Sequence, residues 1–158
     1  MATNFNDSLP AAPTGGTNVK FQTDGSGNDS AYIPTPAINL TGSSVNLTGQ
    51  QADITTTTLL TPSASGLYRI SVYAIVTAVS SPGSTLPAVI IGWTDQDNMT
   101  AQTLTVTASS TGNALTTFEE EDAIISALTG DVITFSTSGY ASGGTPMQFS
   151  LRIRIEAL

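Results

Sequence analysis

Met147-Gln148-Phe149-Ser150-Leu151-Arg152-Ile153-Arg154-Ile155-Glu156 alternates apolar and polar residues without a break. Met147, Phe149, Leu151, Ile153 and Ile155 fall on one side; Gln148, Ser150, Arg152, Arg154 and Glu156 fall on the other. Successive side chains point to opposite faces only in extended chain, so this stretch is a strand with one buried face. The stretch 66–79 (GLYRISVYAIVTAV) keeps the same period with a difference. Tyr68, Ile70, Val72, Ala74 and Val76 form one face, while Leu67, Tyr73 and Ile75 leave the opposite face partly apolar too. A sandwich strand normally shows water a polar side, so a further strand layer, such as an N-terminal hairpin, or a neighbouring subunit is expected to cover that second face.

Outward from these two strands the extended pattern continues through 52–60, 87–95, 99–108, 114–120, 122–128 and 131–140. Turn chemistry separates most of them: TPSASG at 61–66, SSPGS at 80–84, DQDN at 95–98, SSTGN at 109–113, LTGD at 128–131 and ASGGTP at 141–146. The nearest helical candidate, EEEDAIISAL at 119–128, is broken by adjacent isoleucines and allows at most a helical turn. Eight or so short strands with Gly, Pro and Ser turns predict an all-β chain, a jelly-roll β-sandwich. Upstream, residues 1–16 carry two prolines and a Gly-Gly pair without periodicity and read as an extended arm. Two short runs around a Gly-rich turn, TNVKFQT and SAYIP, predict a β-hairpin. The domain plan is therefore an arm over 1–16, a hairpin and connecting segment over 17–49, and the jelly roll over 50–158. The string NLTG occurs at 39–42 and 46–49, one repeat and too little for a solenoid.

Composition narrows the function. The 158 residues include no histidine and no cysteine, which removes the usual general base, thiolate nucleophiles and the commonest metal ligands. No G-x-S-x-G elbow is present, and no Ser-His-Asp triad can be completed. The expectation is a protein that is not an enzyme and takes no cofactor. Four basic residues (Lys20, Arg69, Arg152, Arg154) stand against twelve acidic ones, so a nucleic-acid surface cannot be assembled. No apolar run is long enough to span a membrane, and MATNFNDSLP has neither the basic nor the apolar part of a signal peptide, so synthesis in the cytoplasm is expected.

Candidate sites are few. Glu119-Glu120-Glu121-Asp122 holds four of the twelve acidic residues. A carboxylate pair serves glycoside hydrolysis or calcium binding, but neighbours in a strand point to opposite faces, which favours a solvated sheet edge. Asp95-Gln96-Asp97-Asn98 opens like an EF-hand loop, yet Thr100 and Val106 stand where that loop needs glycine and glutamate, so a hairpin turn is expected. The turn over 24–29 (DGSGND) reads the same way. Five N-x-[ST] sequons, at Asn6, Asn28, Asn39, Asn46 and Asn98, follow from 44 serines and threonines and are discounted. Trp93, beside Ile90, Ile91 and Gly92, is expected to be a core or interface aromatic, with sugar stacking as the rival role.

Gly66-Leu67-Tyr68-Arg69-Ile70-Ser71, followed by Leu128-Thr129-Gly130-Asp131-Val132-Ile133, resembles the G-x-Y-x-[IV]-S strand and L-x-x-G-D turn of trimeric jelly rolls of the complement-head and tumour-necrosis-factor type. In that turn Gly supplies the tight bend and Asp caps it. The chain departs from the pattern where Ala127 stands in place of its leucine. The resemblance implies a homotrimer. Residues 17–34, with the preceding LPAAP, are similar to the N-terminal module of tailed-phage and prophage structural proteins, without the repeated shaft of a long fibre. This implies a virion component, with a capsid decoration protein on the particle surface as first choice and the major capsid protein as partner. The alternative is the receptor- or carbohydrate-binding head of a short fibre. Candidate subunit or capsid contacts are Phe5 and Leu9 on the arm, Leu67, Tyr73 and Ile75 on the second face of the long strand, and Trp93.

Overall fold

The computed structural model describes residues 43–80 and 83–158, together with the strands Lys20–Thr23 (β1) and Asp29–Tyr32 (β2). β1 and β2 pair antiparallel, Lys20 opposite Tyr32 and Thr23 opposite Asp29, as the two runs around the Gly-rich turn lead one to expect. They belong to the first of two units into which the chain divides, Met1–Asn39 and Leu40–Leu158. The arm over 1–16, with Phe5 and Leu9, lies outside the described residues, as does the middle of the DGSGND turn.

Among the described residues the larger unit has ten strands: Ser44–Gln50 (β3), Thr57–Leu60 (β4), Gly66–Ala78 (β5), Thr85–Leu86 (β6), Ala88–Thr94 (β7), Ala101–Thr107 (β8), Ser110–Thr111 (β9), Phe118–Ala127 (β10), Ile133–Ser138 (β11) and Gln148–Ala157 (β12). One four-stranded sheet runs β10-β5-β12-β3 and a second runs β4-β11-β7-β8, with β6 and β9 forming a short ribbon. Every pair is antiparallel and the pairs are nested: β7 with β8, β6 with β9, β5 with β10, β4 with β11, and β3 with β12. One long hairpin, folded at the β7–β8 turn and rolled so that its arms alternate between two sheets, is the jelly roll.

The alternation read from the sequence sets the core. Met147, just ahead of the last strand, and Phe149, Leu151, Ile153 and Ile155 within it are no more than 2% exposed, and Tyr68, Ile70, Val72, Ala74 and Val76 of β5 are buried beside them. From the opposite sheet come Leu59, Val89, Ile91, Ile133 and Phe135. Full burial of each large aliphatic side chain contributes about 1.5–3 kcal/mol gross, which makes this interlayer the main source of stability. Polar clamps close the ends. Asp53 accepts hydrogen bonds from the backbone N–H groups of Gly139 (3.1 Å) and Tyr140 (3.0 Å) where β11 ends. The Tyr140 hydroxyl donates to the Met147 carbonyl at 2.6 Å just before β12.

Several boundaries differ from the sequence pattern. Ser44–Gln50 is an edge strand of the first sheet, with Val45 opposite Ile153, so the sandwich starts ahead of residue 50. The runs 114–120 and 122–128 form one strand from Phe118, and 119–128 contains no helical turn. The mixed polarity of EEED hides this continuity, because β10 is an edge strand that tolerates charge on both sides. The run 52–60 is strand only over Thr57–Leu60. Among the described residues there is no helix.

Candidate functional site

The two sheets differ sharply in their outward faces. The strands of the second sheet contain no charged residue, whereas β5, β10 and β12 carry Arg69, Glu119, Glu120, Glu121, Asp122, Arg152, Arg154 and Glu156. The outer face of the first sheet, which carries all of these but Glu119 and Glu121, therefore concentrates the ionic chemistry of the strands. Register orders it into rows across the strands. Glu120, Tyr73, Arg152 and Asn46 form one row, and Asp122, Ser71, Arg154 and Ser44 the next. Carboxylates thus stand in a column on β10 and guanidinium groups in a column on β12, with β5 between them. At two strand spacings the columns are about 10 Å apart, and no ion pair joins them among the described residues. Among the described residues the one ion pair is Arg69 to Glu156, at 3.3 Å on adjacent strands, with both ends partly exposed. Such a pair contributes at most about 1 kcal/mol.

Above these rows lies an open concavity of about 790 Å³, lined by Tyr73, Ser71, Glu120, Asp122, Arg152 and Arg154 among others. Apolar groups bound it along the strands. Tyr73 stacks on Phe118 with ring centroids 5.9 Å apart, and Ile75 sits opposite Phe118. At the other end Leu67 and Ile124 stand 49% and 60% exposed, beside Leu158, whose N–H donates to the Leu67 carbonyl at 3.0 Å.

The structure brings together three of the sequence candidates, Leu67, Tyr73 and Ile75, on this one outer face. Trp93 is elsewhere. It lies on β7 of the second sheet, half-buried against the core, and its indole Nε1 has no hydrogen-bond partner among the described residues. Sequence reasoning missed Arg152 and Arg154 as site residues. They were visible as the polar half of the alternating strand, but their alignment with Glu120 and Asp122 depends on strand order, which is non-local.

The acidic run divides as adjacent strand residues must. Glu119 and Glu121 sit opposite Ala74 and Val72, on the inward side, and Glu120 and Asp122 on the outward side. No group of three or more carboxylates placed to hold a metal occurs among the described residues. The 95–98 segment is a hairpin turn: the Asp95 carboxylate accepts from the N–H groups of Asp97 (2.9 Å) and Asn98 (3.3 Å) between β7 and β8. At 128–131, Gly130 has a φ of 81°, as the tight bend requires. The capping expected of Asp131 is not found among the described residues. The turn is instead tied to the β4–β5 connection, where Gly130 N–H donates to the Pro62 carbonyl and Thr129 N–H to Ser65 Oγ, both at 2.9 Å.

No protein-family model and no curated protein matches this chain. A solved structure of the Clostridium thermocellum N-terminal endo-1,4-beta-D-xylanase 10B, comprising CBM22-1 and GH10 modules complexed with xylohexaose, is similar at 8% identity and a TM-score of 0.39. The likeness covers 73% of this chain and 26% of that one, and carries no inference about function.

Proposed function

We propose that this chain is a non-enzymatic virion structural protein of the capsid decoration type, which cements the head shell by bridging capsid subunits. The observation that carries the reading is the outer face of the β10-β5-β12-β3 sheet. An aromatic stack, exposed Leu67 and Ile124, and two columns of opposite charge share one side of the sandwich. Such a face suits coverage by protein, and large apolar patches with polar borders mark interaction surfaces. The virion setting comes from the likeness of residues 17–34 to phage structural proteins. The fold alone decides nothing, since jelly rolls serve many functions.

In this role the protein acts by mass action. A protomer bound only to folded, assembled shell subunits lowers their free energy relative to dissociated ones. Buried apolar area contributes about 25 cal/mol per Å², before the costs of association. The test is fractionation of purified particles. The chain is expected on heads in high copy, and heads stripped of it are expected to open at lower temperature. A location at the tail in a few copies overturns decoration. That result would favour the fibre-head reading, for which the Tyr73–Phe118 pair beside Arg152 and Glu120 offers a sugar-stacking platform. Glycan binding abolished by Tyr73→Ala would then be expected.

A further inference from the structure

We infer that the outer face of the β10-β5-β12-β3 sheet is an interface between copies of this chain, in which Glu120 and Asp122 of one copy pair with Arg152 and Arg154 of the next. The inference deepens the proposed structural role by naming the partner of that face. It rests on charge complementarity. Each row carries a carboxylate on β10 and a guanidinium on β12, with Tyr73 or Ser71 between them. Within the chain neither Arg152 nor Arg154 has an ionic partner among the described residues. The face is therefore incomplete in one copy and complementary to itself.

Symmetry adds a specific register. A rotation axis parallel to the strands keeps every row at its own height, so it brings the β10 column of one copy toward the β12 column of its neighbour. Glu120 then meets Arg152, and Asp122 meets Arg154. An axis across the strands would reverse the row order, which loses this matching. The exposed apolar groups fit the same axis, because Tyr73 and Phe118 at one end and Leu67 and Ile124 at the other are also brought level with their counterparts. The ion pairs select the register, and apolar burial supplies most of the attraction.

The experiment is sedimentation of the full chain and two charge-reversed variants, Arg152→Glu/Arg154→Glu and Glu120→Arg/Asp122→Arg, at about 0.1 M salt, where the screening length is about 10 Å. The wild type is expected to sediment at a multiple of the 16.2 kDa chain mass. Each variant alone is expected to associate at least tenfold more weakly, and an equal mixture to regain association. The mixture distinguishes pairing from general damage, because each variant then meets the opposite charge at both columns. An even-numbered ring closes fully from the mixture, whereas a three-fold ring leaves one like-charged contact, so recovery stopping at two chains beside a wild-type trimer also supports the pairing. Neutral variants, Arg152→Gln/Arg154→Gln and Glu120→Gln/Asp122→Asn, repeat the comparison should a reversed chain misfold. A wild type that is monomeric at tens of micromolar overturns the inference, and so does an oligomer that all four variants leave unchanged. Self-association as expected, with the chain absent from heads, would sink the decoration role alone.

Discussion

Gly112 shows how tightly a single position is held. It is buried beside the β6–β9 ribbon, and its N–H donates to the Ser84 carbonyl at 2.8 Å. A Cβ there would collide with Met147 Sδ and lie 3.3 Å from the Leu86 nitrogen. Met147 has no solvent exposure and therefore little room to retreat. Gly112→Ala is expected to cost about 1–3 kcal/mol, read as a lower urea midpoint at unchanged slope. An unchanged midpoint would mean that the Met147 pocket yields. Met99 is the opposite case, a residue strained where nothing packs on it. Its φ is 56° in the β7–β8 turn and it is 73% exposed. Asn tolerates the left-handed region better, so Met99→Asn is expected to raise stability by up to about 1 kcal/mol in the same assay. The sequence marks 95–98 as a turn through its Asp and Asn residues. It does not mark Met99, because the backbone sign there follows from closing the hairpin.

Strand β10 carries the clearest lesson at the level of elements. As an edge strand it exposes unpaired backbone groups, and inward-pointing charges on such an edge discourage pairing with another sheet. Glu119 and Glu121 occupy that inward side. Glu119→Gln/Glu121→Gln is expected to leave the melting temperature within about 2 °C, since exposed like charges repel weakly in salt, and to increase light scattering on heating. A drop of ten degrees or more would assign the two carboxylates a folded-state role instead. Because the four acidic residues divide between two sides, chelation of divalent cations is expected to leave the melting curve unmoved. A chelator-sensitive transition would restore a cation site at β10. The sequence allowed this alternation to be read residue by residue, yet split the strand in two. Hydrophobic periodicity fades where both sides of an edge strand are exposed, as they are from Glu120 to Asp122.

For the whole molecule, the arm provides the remaining test. The sequence reading makes residues 1–16 an attachment arm, since Leu9-Pro10-Ala11-Ala12-Pro13 offers one large apolar side chain beside two prolines and Ala-Ala, and Gly15-Gly16 follows it. In that reading the segment is expected to bind a partner through Phe5 and Leu9. Deleting residues 1–16 is expected to preserve the melting temperature and weaken particle binding. A truncated chain that cannot fold, or that occupies particles as fully as the intact one, removes the arm from this role. By itself the sequence determined that the chain is all-β, which faces of 66–79 and 147–156 enter the core, and that the second face of the long strand is partly apolar. Each of these depends on local alternation and turn chemistry, which act over a few residues. Only the tertiary structure decided the nested strand order, the inclusion of Ser44–Gln50 in the sheet, and the alignment of Glu120 and Asp122 with Arg152 and Arg154 across Tyr73 and Ser71. Those relations join residues tens of positions apart through inter-strand hydrogen bonds, and no local pattern encodes which strand lies beside which.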